Sequence, residues 1–169
     1  MVTTYKELSK ILSVFAVKVL SNNFSTWISY GIEVKVSTDD VTTEAGCENL
    51  IKEASALGFV DGIFNLAVVL KIALFENQSE ENFHAALEPK AYATLHLDRV
   101  TRKLCPQLRY FVVFSSLSCG RGHVGQSNYG MANSVMGRIC ENRKRDGLPA
   151  VAIQWGAIGE VVNIIVFIF

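Results

Sequence analysis

The chain has 169 residues, half of them apolar and 19% charged, and its sixteen Lys plus Arg are balanced by sixteen Asp plus Glu. This composition excludes a disordered chain, which combines low hydrophobicity with high net charge, and it lacks the basic excess of a nucleic-acid binder. A length of this order implies one domain.

In chain order, residues 1–30 are weakly patterned, and residues 5–20 admit a helix. The apolar stretch 8–20 is too short to cross a membrane and carries Lys10 and Lys18. No basic region leading into a clean apolar run and a small-residue cleavage site marks a secretion signal. Residues 32–38 alternate apolar and polar and predict a strand. Residues 44–57 predict a helix stopped by Gly58. Residues 60–70 are almost continuously apolar, as a buried parallel strand is. A helical pattern runs over 80–104 with a break near Pro89, and Pro106 ends it. Residues 108–116 form the strongest predicted strand. A glycine-rich loop follows, then a helix over 126–145 closed by Gly147 and Pro149. Residues 150–158 predict one more strand. Strands alternating with helices imply βαβ units, hence an α/β, Rossmann-like, doubly wound parallel sheet. Such sheets bind ligands at the carboxyl ends of their strands.

Cys47, Cys105, Cys119 and Cys140 show no C-x-x-C and no metal-ligand spacing, which points to a reducing compartment and no metal. His84, His96 and His123 read as surface or packing residues, and Trp27 and Trp155 read as core. The run Arg143, Lys144, Arg145 reads as the solvated C-terminal end of a helix, where cations are favoured. The sequon at Asn77 reads as a chance match.

Two constellations could carry chemistry. Gly120, Gly122 and Gly125 spell G-x-G-x-x-G between a strand and a helix. A dinucleotide loop needs further strands after it, and only one follows, so a flexible loop is the favoured reading. The second constellation is Ser116, Tyr129 and Asn133. Ser116 ends the strongest strand, and Tyr129 and Asn133 share one face of the next helix. A Tyr phenol ordinarily titrates near ~10 and needs a nearby cation to act as a proton donor. Lys90 is a candidate, although spacing alone does not place it. A core Tyr beside a loop Ser is the alternative.

The stretches 111–122, 125–133, 61–70 and 154–159 resemble, in order and spacing, the ketoreductase domain of animal-type fatty acid synthases, within the short-chain dehydrogenase/reductases. The resemblance covers roughly residues 30–161. It implies NADPH-dependent reduction of a β-ketoacyl group on an acyl carrier, among other fatty acid synthase domains in the cytoplasm. It implies that Tyr129 donates the proton, that Ser116 bonds the same oxygen, and that Lys90 supplies the cation, with Asn133 in the network. It also implies cofactor contacts from Asp40, Asn65, Leu66, Ala67, Lys90, Tyr129, Trp155 and Gly156, with Gly120 to Gly125 on the substrate side.

The pattern departs from that family at both ends. Residues 1–30 contain no glycine, so the phosphate loop and its first β-α-β unit are expected to be absent and this chain alone to be inactive. Residues 162–169 form an uncharged apolar run with an aggregation-prone character. The expected division is therefore a non-family segment 1–30, a partial ketoreductase domain 31–161 and a non-family tail 162–169. An inactive remnant or interaction module is the competing expectation.

Overall fold

The computed structural model describes residues 2–4, 28–31, 35–156 and 166–168. The helix expected over 5–20 and Trp27 lie outside these residues. The elements are β1 (Val2–Thr4), β2 (Lys35–Ser37), α1 (Glu44–Ser55), β3 (Gly62–Asn65), α2 (Glu80–Leu87), a π-helical turn (Glu88–Tyr92), α3 (Ala93–Leu104), β4 (Tyr110–Ser116), α4 (Ser118–Arg121), α5 (Ser127–Arg145), β5 (Val151–Trp155) and β6 (Val166–Ile168).

Local chemistry explains the helices. Thr43 caps α1, its Oγ1 accepting from Gly46 N at 3.0 Å. Cys47, Leu50, Ile51 and Ala54 fall on one face of α1 and are buried. Gly46 is required there, because a Cβ would stand 2.0 Å from the Asp40 carbonyl oxygen. Ser79 caps α2 by accepting from Asn82 N. In α3 the buried face is Ala93, Thr94, Leu97, Val100 and Thr101. The core joins these faces to Ile63 of β3, Phe111 and Val113 of β4, and Met136 and Cys140 of α5.

The sheet order is β2-β1-β6-β3-β4-β5. β3, β4 and β5 run parallel, with Asn65 opposite Val113 and Ser116 opposite Trp155. β1 and β2 are parallel to each other, and β6 is antiparallel to both β1 and β3. The carboxyl ends of β2, β3, β4 and β5 therefore share one edge. The doubly wound α/β fold is present, but a wholly parallel sheet is not.

Several other expectations are corrected. The apolar run 60–70 is a strand only over Gly62–Asn65; beyond it the chain turns away because Asn65 Oδ1 accepts from Ala67 N at 3.0 Å. The last predicted strand is Val151–Trp155, and residues 157–158 lie outside the described residues. Within the apolar tail, Val166–Ile168 is a central strand of the sheet. Arg143 is not solvated: it is buried at 1% exposure, its Nε donates to Pro149 O, and its Nη1 lies 2.6 Å from Asp98 Oδ1 and 3.2 Å from Thr101 Oγ1. Its guanidinium also lies 4.1 Å from the Phe111 ring centroid. A helix-end cation read from sequence as solvent-facing thus ties α5 to α3 and to the start of β5.

Candidate active site

The break near Pro89 becomes a π-helical turn, a form that recurs at functional positions. It rotates Lys90 inward. Lys90 is 2% exposed, and its Nζ donates to Phe114 O at 2.7 Å and lies 5.4 Å from the Tyr129 ring centroid. No carboxylate among the described residues pairs with it. Burial alone therefore lowers its pKa from 10.5 to about 8. Asn65 fixes the turn, since its Nδ2 donates to Pro89 O at 3.2 Å and to Thr94 Oγ1 at 2.9 Å.

Ser116 closes β4 two residues beyond the Phe114 carbonyl that receives Lys90. Its Oγ accepts from Ser118 N at 3.2 Å. The glycine-rich segment is not a plain loop, because Ser118–Arg121 forms a helical turn. The first turn of α5 packs on that turn: a Cβ on Gly130 would lie 3.2 Å from Ser118 O, and Ser134 Oγ donates to Cys119 O. Tyr129 is thus carried to the carboxyl end of β4 by a helix whose Gly130 lies close against the Ser118 carbonyl. Asn133 is fully buried, donates to Tyr129 O at 2.8 Å, and leaves its Oδ1 without a partner. Ser115 Oγ bonds Asn133 O at 3.4 Å.

Lys90, Tyr129 and Asn133 therefore gather around the end of β4 that Ser116 closes. Trp155 and Gly156 join from β5: Leu117 N donates to Trp155 O at 3.0 Å, and the Trp155 ring is 5.5 Å from Phe114. Trp155 is 41% exposed rather than core. Asn65 stands nearby, but its side chain is spent on Pro89, Thr94 and Ala67. Half-buried Leu66 and Ala67 continue from it along the edge. Asp40 follows β2 on the same edge, where its carboxylate accepts from Thr42 N and Oγ1.

Gly122 and Gly125 adopt left-handed φ of 71° and 74°. Gly125 O accepts from Ala73 N at 3.0 Å, and a Cβ on Gly125 would lie 3.0 Å from Ile72 Cγ2. The G-x-G-x-x-G thus docks on residues 72–73. Sequence reasoning passed over Asn128, whose only signal was a polar residue beside Tyr129 in a first helical turn. It is fully buried and holds four partners.

A buried cation beside a phenol, with a hydroxyl at an adjacent strand end, is equipment for protonating a carbonyl oxygen. Among the described residues no group of three or more His, Cys, Asp or Glu could hold a metal ion, and no helix is long and apolar enough to cross a membrane.

The model of the KR domain family matches residues 15–160. A hybrid PKS-NRPS synthetase of Petromyces alliaceus is 35% identical over 77% of this chain, and a highly reducing polyketide synthase of Penicillium oxalicum is 35% identical over 78%. The chain spans only 3% and 5% of those two proteins. Among solved structures, a ketoreductase domain from the bacillaene assembly line superposes with a TM-score of 0.78 at 26% identity, covering 89% of this chain and 36% of that one. An N-terminal ketoreductase from the macrolactin assembly line gives 0.74 at 28% identity, covering 81% and 28%.

Proposed function

Because the chain belongs to the KR domain family of ketoreductases, we propose that it carries the reducing centre of a β-ketoacyl reductase of the animal fatty acid synthase type. The reading rests on one observation, the buried Lys90 cation held 5.4 Å from the Tyr129 ring by the strand that ends in Ser116. The substrate is a β-ketoacyl thioester on an acyl carrier, and the partners are other domains of a cytoplasmic synthase. The fatty acid synthase assignment rests on the stretches 61–70, 111–122, 125–133 and 154–159, and the relatives named above are a hybrid PKS-NRPS synthetase and a highly reducing polyketide synthase.

The cofactor of this reading is NADPH, which when bound supplies a hydride to the ketone carbon. The reacting half of such a cofactor fits the residues present: Lys90 offers a buried cation, and Asn133 Oδ1 an unused acceptor. Trp155 and Gly156 flank the same strand end. Ser116 hydrogen-bonds the ketone oxygen, and Tyr129 gives it the phenol proton. Lys90 stabilises the phenolate left behind, and Tyr129 regains its proton from solvent. Carbon gains the hydride and oxygen the proton, so the ketone becomes an alcohol.

The pyrophosphate half fits less well. A doubly wound sheet delivers its phosphate-binding turn from a central strand. Here the central place beside β3 is held by β6, which enters from the carboxyl edge and so brings no strand-to-helix turn to it. A site without such a turn would lose about three charge-assisted bonds of ~1.5–3 kcal/mol each, weakening binding by ~4–9 kcal/mol, or three to six decades at ~1.4 kcal/mol each. This topology favours a second reading, a remnant that keeps the site and has lost the activity. The test is reduction of a β-ketoacyl pantetheine thioester with NADPH at millimolar concentration. Turnover that Tyr129→Phe lowers at least ~100-fold supports the first reading, and no turnover in the parent chain leaves the second.

A further inference from the structure

We infer that Asn128 is a positioning residue that holds Tyr129 over Lys90 by clamping segment 71–78 to the first turn of α5. The inference deepens the reductase reading and rests on it for its catalytic meaning. Asn128 Nδ2 donates to Lys71 O at 2.9 Å, to Asn82 O at 3.1 Å and to Gln78 Oε1 at 3.2 Å. Its Oδ1 accepts from Tyr129 N at 2.7 Å. One fully buried amide therefore bonds a loop, a neighbouring helix and the backbone of Tyr129 itself.

Gln78 extends the clamp, since its Nε2 donates to Lys71 O at 3.1 Å and to Ala73 O at 3.0 Å. Ala73 N then donates to Gly125 O, four residues before Tyr129. The segment has little else to hold it: Ile72, Leu74 and Phe75 are 64%, 51% and 77% exposed. Its order comes from side-chain amides rather than from burial of apolar surface. α5 has no side-chain cap at Gln126 either, so its first turn depends on the same bonds. A half-satisfied buried polar network is worse than none. Loss of the Asn128 donors frees the turn that carries Tyr129.

The test uses the full 169-residue chain, isotopically labelled, as parent, Asn128→Asp, and Asn128→Asp combined with Gln78→Lys. Aspartate keeps the shape and the acceptor for Tyr129 N but sets a carboxylate against three oxygen acceptors. The expected result is loss of the nuclear Overhauser contact between the Lys90 ε-methylene and the Tyr129 ring. Amide exchange at Ala73 and Tyr129 should rise at least ~10-fold, while exchange at Leu97, Val100 and Phe111 stays unchanged. Gln78→Lys, by returning a donor, should restore the contact. Where the parent reduces a ketone, the first variant should lower kcat ~10-fold with KM for the ketone unchanged. A retained Lys90–Tyr129 contact overturns the inference, as does a uniform rise in exchange across the core, which would make Asn128 a residue of general stability. An inactive parent counts against the reductase reading alone, because contact and exchange still decide whether Asn128 positions Tyr129.

Discussion

The two halves of the sheet are built differently. From β3 to β5 the strands are parallel, and β4 is buried on both faces through Phe111, Val112 and Val113. Lys90, Asn65, Asn133 and Arg143 lock that half to three helices. From β2 to β6 the strands are three residues long, and β6 runs against its neighbours. The half that holds the proposed proton donor is therefore over-determined. The half that in the proposed reading would hold the cofactor phosphates includes β6, which runs antiparallel to β1 and β3. On the proposed reading, protonation of a substrate and retention of a dinucleotide are separable properties of this fold.

The largest stability effect should come from the locked half. Arg143→Ala leaves Asp98 with Arg102 as its ion pair, 2.8 Å away, and strips the Phe111 ring of its cation. Removing one member of a buried pair costs ~3–5 kcal/mol; with Arg102 remaining, a loss of about 3 kcal/mol in urea unfolding is expected. A loss below about 1 kcal/mol would show that this half is not locked through Arg143.

Lys90→Met should act in the opposite sense. The folded pKa of about 8 lies below the ordinary 10.5, so burial of the charged form burdens the fold fully below pH 8. The unfolded chain holds more protons between pH 8 and 10.5, and parent stability therefore rises with pH through that window. The shift corresponds to about 3 kcal/mol at ~1.36 kcal/mol per unit. The bond to Phe114 O returns about 1 kcal/mol, so Lys90→Met should gain about 2 kcal/mol at pH 7. That gain should vanish as pH approaches 10.5. A destabilised variant at pH 7 would mean that Lys90 is structural rather than held for chemistry.

The β6 half is probed by Phe167→Pro. Phe167 pairs with Thr3 and Phe64 in the sheet interior, where proline removes a ladder donor. Thermal unfolding should report a loss of about 1–2 kcal/mol, and no change would show that β6 contributes nothing to the sheet. The smallest effect belongs to Arg138→Ala, whose exposed pair with Glu141 is worth under about 0.5 kcal/mol. A larger loss would mean that the solvent face of α5 matters to the locked half.

α1 and the region of α2 and α3 were legible because each carries its own repeating apolar face, and β4 because it is a continuous apolar run buried on both faces. The apolar run 60–70 misled because its second half turns at Asn65, a side-chain bond that no pattern displays. Arg143 misled because helix-end cations are usually solvated, whereas Pro149 and Asp98 come from elsewhere in the chain. Spacing alone left Tyr129 and Ser116 open between a core pair and a site, and their proposed roles came from the resemblance. The approach of Lys90 was not, since it depends on a π-turn and on Asn65, 25 positions earlier. The role of the uncharged tail depends on a strand partnership between the two ends of the chain, which local patterning cannot encode.

The separability of the two halves is tested most directly by the rate of β-ketoacyl thioester reduction as a function of NADPH concentration. The expected result is a rate that rises linearly into the millimolar range without saturating and that Tyr129→Phe removes. Saturation at micromolar NADPH would contradict it by showing a working phosphate site, and a parent chain with no turnover at millimolar NADPH would leave only the inactive-remnant reading.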